Sequence, residues 1–145
     1  MQLTQYTDYS LRVLVYLGAK TDGWATITEL ADFYAISRNH LVKIVHHLAR
    51  QQLILTQRGK NGGMRLARPP AQIKIGEVVR LTEPNFYIAE CFNRDNNQCV
   101  LAPNCRLKSI LYEANAAFLA TLDRYTIADS IANPAMLITW QTQAK

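Results

Sequence analysis

The chain has 145 residues, 49% of them hydrophobic, enough for one compact domain with an extension. No apolar run approaches the roughly 20 residues needed to span a bilayer, and the opening MQLTQYTDYS lacks the charged-then-apolar pattern of a secretion signal, so a cytoplasmic protein without membrane contact is expected. The formal net charge of +5 points to an anionic partner, the more so because it is concentrated in one part of the chain.

Thr7 and Asp8 form a helix start, and Leu11, Leu14, Val15 and Leu17 follow at near-helical spacing. Asp22-Gly23 ends that unit. Thr26 is placed to cap a second, short helix carrying Ile27, Leu30, Ala31 and Tyr34. After a turn at Ala35 and Ile36, Ser37 caps a third helix that buries Leu41, Ile44, Val45 and Leu48. Two short helices joined by a tight turn predict a helix-turn-helix.

The opposite side of the third helix carries Arg38, Asn39, His40, Lys43, His46 and Arg50. Recognition helices reach base edges mainly through their N-terminal residues, which makes Arg38, Asn39 and His40 candidates for direct readout and Lys43 a phosphate contact. Leu53-Ile54-Leu55-Thr56 and Met64-Arg65-Leu66 then read as two strands around a Gly-rich turn from Gln57 to Gly63. Arg58, Lys60, Asn61 and Arg65 surround that turn, which predicts a basic wing laid on DNA backbone or minor groove.

Through residue 72 the chain holds nine Lys/Arg and four Asp/Glu, whereas residues 73–145 hold seven of each. The whole excess therefore belongs to the segment with the reading helix and wing, and no acidic residue occurs between Asp32 and Glu77. Phosphate neutralisation rewards such clustering, while a solvated face normally mixes signs.

Beyond Pro69 and Pro70, Lys74 to Leu81 reads as a helix with Ile75, Val78 and Val79 inward, ended by Glu83-Pro84-Asn85. A polar stretch, CFNRDNNQCVLAPNC, then holds all three cysteines: Cys91, Cys99 and Cys105, with spacers of seven and five residues. An odd number cannot all pair within one chain, and in a reducing compartment close thiols point to metal or redox chemistry. A structural zinc site would ask for four ligands and short C-x2-C spacings, which are absent. Direct thiol sensing without a metal is the other alternative.

From Arg106 a long helix is predicted, with Leu107, Ile110, Leu111, Ala114, Ala117, Phe118 and Leu122 recurring at three and four residues. A winged helix already has its own core, so this stripe most economically meets a second copy in a two-fold dimer. Such a dimer would bind two inverted half-sites on double-stranded DNA, about one helical turn or a multiple apart. No catalytic triad, phosphate loop or carboxylate pair stands out, so no enzyme is expected.

The opening MQLTQYTDYSLRVLVYL, the run SRNHLVKIVHHL, the wing RGKNGGMRLARP, the segment IKIGEVVRLTEP and the three cysteines before RLK together resemble the nitric-oxide-sensing repressors of the Rrf2 superfamily. The resemblance extends through about Ala128. It implies a homodimeric winged-helix repressor that carries an iron-sulfur cluster, 4Fe-4S favoured over 2Fe-2S, and loses DNA affinity when nitric oxide attacks it, so that nitrosative-stress genes are derepressed. The related iron-sulfur assembly regulator has a histidine ligand three residues after its last cysteine, where this chain has Lys108, which favours the nitric-oxide branch. An Rrf2-type regulator of iron-sulfur or redox status, or a cluster-free thiol regulator, is the alternative.

The resemblance further implies Cys91, Cys99 and Cys105 as cluster ligands, with Asp8 from the partner subunit as the fourth. In its own helix Asp8 equally suits the N-terminal dipole. Arg12, one turn on, then either orients the Asp8 carboxylate or makes an ordinary i,i+4 pair. The expected architecture is mainly α: residues 1–81 as a winged helix-turn-helix with a two-stranded wing, 82–105 as a cluster-binding loop, 106–132 as the dimerisation helix region and 133–145 as a C-terminal tail.

Overall fold

The computed structural model describes residues 2–20, 23–60 and 62–131; Asn61 of the expected wing contacts and the expected tail at 133–145 lie outside them. The order is α1 (Gln5–Ala19), α2 (Ile27–Tyr34), α3 (Arg38–Arg50), β1 (Ile54–Gln57), β2 (Gly63–Leu66), α4 (Ile75–Thr82) and α5 (Arg106–Leu122), with short 3-10 turns at Pro70–Gln72, Glu90–Phe92, Ala102–Asn104 and Ala128–Ser130. This is the mainly helical, winged arrangement expected from the periodicities. No helix among the described residues is long and apolar enough to cross a membrane.

Helix α1 begins before the expected Thr7-Asp8 start. Thr4 is the cap, its hydroxyl accepting the Thr7 N–H at 3.3 Å, which leaves Asp8 in the first turn and buries Thr7. The caps at Thr26 and Ser37 form as expected. Thr26 accepts the Glu29 N–H while Glu29 reaches back to the Thr26 N–H, and Ser37 accepts the His40 N–H. Between them Ala35 adopts φ 53°, the left-handed conformation that ends α2 and turns the chain into α3.

The core gathers Val13, Leu14, Tyr16 and Leu17 of α1, Leu30 of α2, Leu41, Ile44, Val45 and Leu48 of α3, Leu53, Ile54 and Met64 of the hairpin, and Ile73, Val78 and Ile127. In α1 the apolar stripe is rotated from the expected one: Val13 and Tyr16 are buried, while Leu11 and Val15 pack at its margin. The strands pair antiparallel with Leu55 opposite Arg65 and Thr56 opposite Met64. Ala25 adds a one-residue bridge to Met64, through hydrogen bonds of 2.9 and 2.7 Å, so the wing rests on the segment that precedes α2.

The end of α5 is fastened to the winged domain. The Ile75 N–H donates to Tyr125, the Ile127 N–H to Ile73, and Arg80 grips Asp123 through two hydrogen bonds of 2.6 Å. No residue of α5 itself is buried; Leu107 is 61% and Ile110 49% exposed.

Candidate DNA interface and metal centre

Burial of Leu41, Ile44, Val45 and Leu48 fixes the rotation of α3, so Arg38, Asn39, His40, Lys43, His46 and Arg50 all face solvent. The helix is held from behind by α1: the Tyr6 ring lies 5.7 Å from His47, and the Tyr6 hydroxyl donates to the Lys43 carbonyl at 3.5 Å. Arg58 and Lys60 are exposed at the wing tip and Arg65 on β2. Of the eight cations between Asp32 and Glu77, only Arg68 makes an ion pair among the described residues, with Glu77. Arg38, Lys43 and Arg50 of α3 and Arg58, Lys60 and Arg65 of the wing are left without an ion pair, whereas Lys74 caps α4 and acts on Asp123; such unpaired charge on α3 and the wing is the electrostatic requirement for binding phosphate.

One feature of the wing escaped the sequence. The Arg65 guanidinium lies 4.6 Å over the Trp24 ring, a contact that only the Ala25–Met64 bridge creates.

The three cysteines are free and half-buried. Their loop is built from local turns: the Cys99 N–H donates to the Asn97 side chain, the Asp95 N–H to the Asn93 side chain, and the Ala102 N–H to the Cys99 carbonyl. Its anchor is buried Phe92, stacked on Tyr112 of α5 at 4.2 Å and 15°. Cys105 is the N-cap of α5, its Sγ accepting the Lys108 N–H at 3.4 Å. Among the described residues no three His, Cys, Asp or Glu side chains stand close enough to hold one metal ion, so the thiols share a loop without converging. The donor set nevertheless suits iron-sulfur ligation: three sulfurs on one loop, free of disulfides, with a coordination position left for a ligand from elsewhere.

Asp8 sits beside Gln2, Leu3, Gln5, Tyr9, Arg12 and Tyr34. Arg12 holds it by two contacts, Nε to Oδ1 at 3.0 Å and a guanidinium nitrogen to Oδ2 at 2.7 Å, and also lies 5.7 Å over the Tyr9 ring. The Asp8–Arg12 contact is thus an i,i+4 pair within α1, with both side chains partly exposed. Glu83, expected from the sequence only to end α4, accepts from both the Thr4 N–H at 2.7 Å and the Thr4 hydroxyl at 3.0 Å. That clasp ties the root of the cysteine loop to the cap of the Asp8 helix; a lone Glu before Pro gives no pattern by which to find it.

The Rrf2 family, described as an iron-dependent transcriptional regulator, matches residues 3–133. Among similar sequences, an HTH-type transcriptional regulator NsrR of Shouchella clausii is 52% identical over 92% of this chain and 90% of its own length. The NsrR of Bacillus subtilis is 49% identical over 92% of each. Solved structures share the fold at lower identity. The T. potens IscR has a TM-score of 0.72 at 21% identity, covering 90% of this chain and 86% of that one. The global cysteine regulator CymR of B. subtilis has a TM-score of 0.73 at 23%, covering 89% and 95%.

Proposed function

The chain belongs to the Rrf2 family of transcriptional regulators, and from that premise we propose that it is a cytoplasmic, homodimeric DNA-binding repressor relieved by nitric oxide at an iron-sulfur cluster. The observation that carries this reading is the union, in one chain, of an uncompensated basic reading helix and wing with three free, half-buried thiols on the loop leading into α5. Similar proteins named as transcriptional regulators, rather than enzymes, support it.

Cys91, Cys99 and Cys105 would hold the cluster, with Asp8 of the partner subunit as fourth ligand and Arg12 orienting that carboxylate. Such a cluster supplies iron open to nitric oxide, the more so because carboxylate is a harder, weaker partner for it than thiolate. Arg38, Asn39 and His40 would read base edges, while Lys43, Arg58, Lys60, Asn61 and Arg65 would meet backbone or minor groove. The exposed face of α5 would pair with its twin, setting the distance between two reading helices on inverted half-sites.

The chain connects these parts. Phe92 on Tyr112 and the Cys105 cap join the cysteine loop to α5, Glu83 joins its root to α1, and α1 braces α3 through Tyr6. A change in loop conformation is thus felt at both the subunit contact and the reading helix. Moving DNA affinity a hundredfold needs only about 3 kcal/mol of differential stabilisation between two arrangements.

The test is anaerobic purification with iron and sulfide quantified, followed by nitric oxide titration against binding of a duplex selected from a random pool by the same protein. Iron and sulfide in near-equal amounts and a loss of DNA affinity with nitric oxide are expected, and the response disappears when all three cysteines are replaced by alanine. Iron-free protein that responds equally well, or an unchanged response in the triple variant, overturns the reading. The separation of the thiols favours cluster-free thiol regulation as the second reading, and the same iron measurement distinguishes it.

A further inference from the structure

We propose that Trp24 is a positioning residue for DNA binding, its indole face holding the Arg65 guanidinium at the base of the wing so that its outward N–H groups meet a phosphate. The inference rests on the reading of Arg65 as a DNA contact.

Four observations converge on this pair. The guanidinium carbon lies 4.6 Å from the Trp24 ring centroid, within the range of a cation-π contact. The placement is fixed by backbone: the two hydrogen bonds between Ala25 and Met64 set Trp24 beside the strand position that carries Arg65. Gly63 makes the approach feasible, since a Cβ there would stand 2.9 Å from the Trp24 Cβ and 2.5 Å from the Ala25 carbonyl oxygen. Arg65, finally, is exposed and makes no ion pair among the described residues.

An exposed arginine must be immobilised to grip a phosphate, and that ordering opposes binding. Stacking on an aromatic face removes part of the freedom beforehand and leaves the guanidinium edge open, because its donors lie in the plane of the group. Opposite Arg65 across the hairpin is exposed Leu55, which offers no competing acceptor in its side chain. Trp24 thus improves affinity without adding charge.

The distinguishing measurement is DNA affinity as a function of salt, in full-length anaerobic protein, for Trp24→Ala, Trp24→Phe, Trp24→Leu, Arg65→Ala and the double variant Trp24→Ala/Arg65→Ala. The probe is the duplex selected by the wild-type protein. Trp24→Ala is expected to weaken binding about two- to fivefold with the salt slope unchanged. Arg65→Ala weakens it further and lowers the slope by about one. Trp24→Ala adds nothing once Arg65 is gone, and Trp24→Phe retains most of the affinity that Trp24→Leu loses.

Should Trp24→Ala fail to fold, the Phe and Leu variants decide, because both fill the site and only one offers a π face. Equal affinity of Phe and Leu overturns the proposal, as does an equal loss from Trp24→Ala with and without Arg65, which would make the role merely structural. If Arg65→Ala leaves affinity and slope unchanged, the Arg65 reading falls and the proposal with it. An Arg65 effect without any Trp24 effect sinks Trp24 alone.

Discussion

Tyr34, the last residue of α2, donates its hydroxyl to the Arg12 carbonyl at 3.0 Å, so the turn of α1 that carries Asp8 and Arg12 is tied to the residue just before the left-handed Ala35. Burial pushes the phenol up to about 12, against a smaller downward pull from the Arg12 charge. A phenol whose folded value is raised stabilises the fold fully below the ordinary value of about 10 and loses that contribution as pH rises through 12. Tyr34→Phe is therefore expected to cost about 1 kcal/mol at neutral pH, and in urea denaturation its deficit should shrink above pH 10; a deficit constant with pH would remove the titration from the account. At Gly76 the constraint is steric, since a Cβ there would run into the Asp123 carboxylate that Arg80 holds. Gly76→Ala should cost about 1–3 kcal/mol, and adding Asp123→Ala should recover part of it; two losses that simply sum would refute the clash.

At the scale of the element, α2 shows how one side chain serves several neighbours. Glu29 closes the capping box with Thr26 and also accepts from the Tyr16 hydroxyl at 2.5 Å and Lys20 Nζ at 3.0 Å. Burial alone would raise its carboxyl, but the hydrogen bonds from Tyr16, Lys20 and the Thr26 backbone outweigh it, and the net direction is down. A lowered carboxyl contributes stability above the ordinary value of about 4.3 and loses it as pH falls through the folded value. Glu29→Gln keeps a capping side chain while removing the charge, so it should cost about 0.5–1 kcal/mol at pH 7, with thermal melts of the two proteins converging in acid. A constant gap down to pH 3 would contradict the charge assignment. The caps at Thr26 and Ser37 and the stripe on α3 were legible because each is a local pattern with one dominant solution. The bridge from Ala25 to Met64 was not, since a single extended residue carries no alternation, and the α1 start was misplaced because Thr4 and Thr7 offer the same capping chemistry three residues apart.

At the scale of the molecule, the C-terminal end of α5 is treated differently from its N-terminal turns. Its C-terminal end is locked to the winged domain by the Arg80–Asp123 grip and by fully buried Ile127, whereas Leu107 and Ile110 stand uncovered. The stripe was readable in sequence as a helical repeat, but nothing among the described residues buries it. The same holds for the cysteines: their number and spacing pointed to metal or redox chemistry, yet nothing local draws the three sulfurs together, because asparagine-based turns close each segment of the loop on itself. If a second copy covers α5, a charge placed there must separate the subunits, since an unpaired arginine buried at a contact is costly. Ile110→Arg is therefore expected to sediment as a monomer at concentrations where the wild type is a dimer. On a duplex with two inverted half-sites its affinity should fall by roughly a hundredfold or more, the gain that tethering two reading helices provides, while affinity for a single half-site stays within about threefold because the winged domain keeps its own core. A variant that remains dimeric and retains full two-site affinity would place the subunit contact elsewhere than on this face.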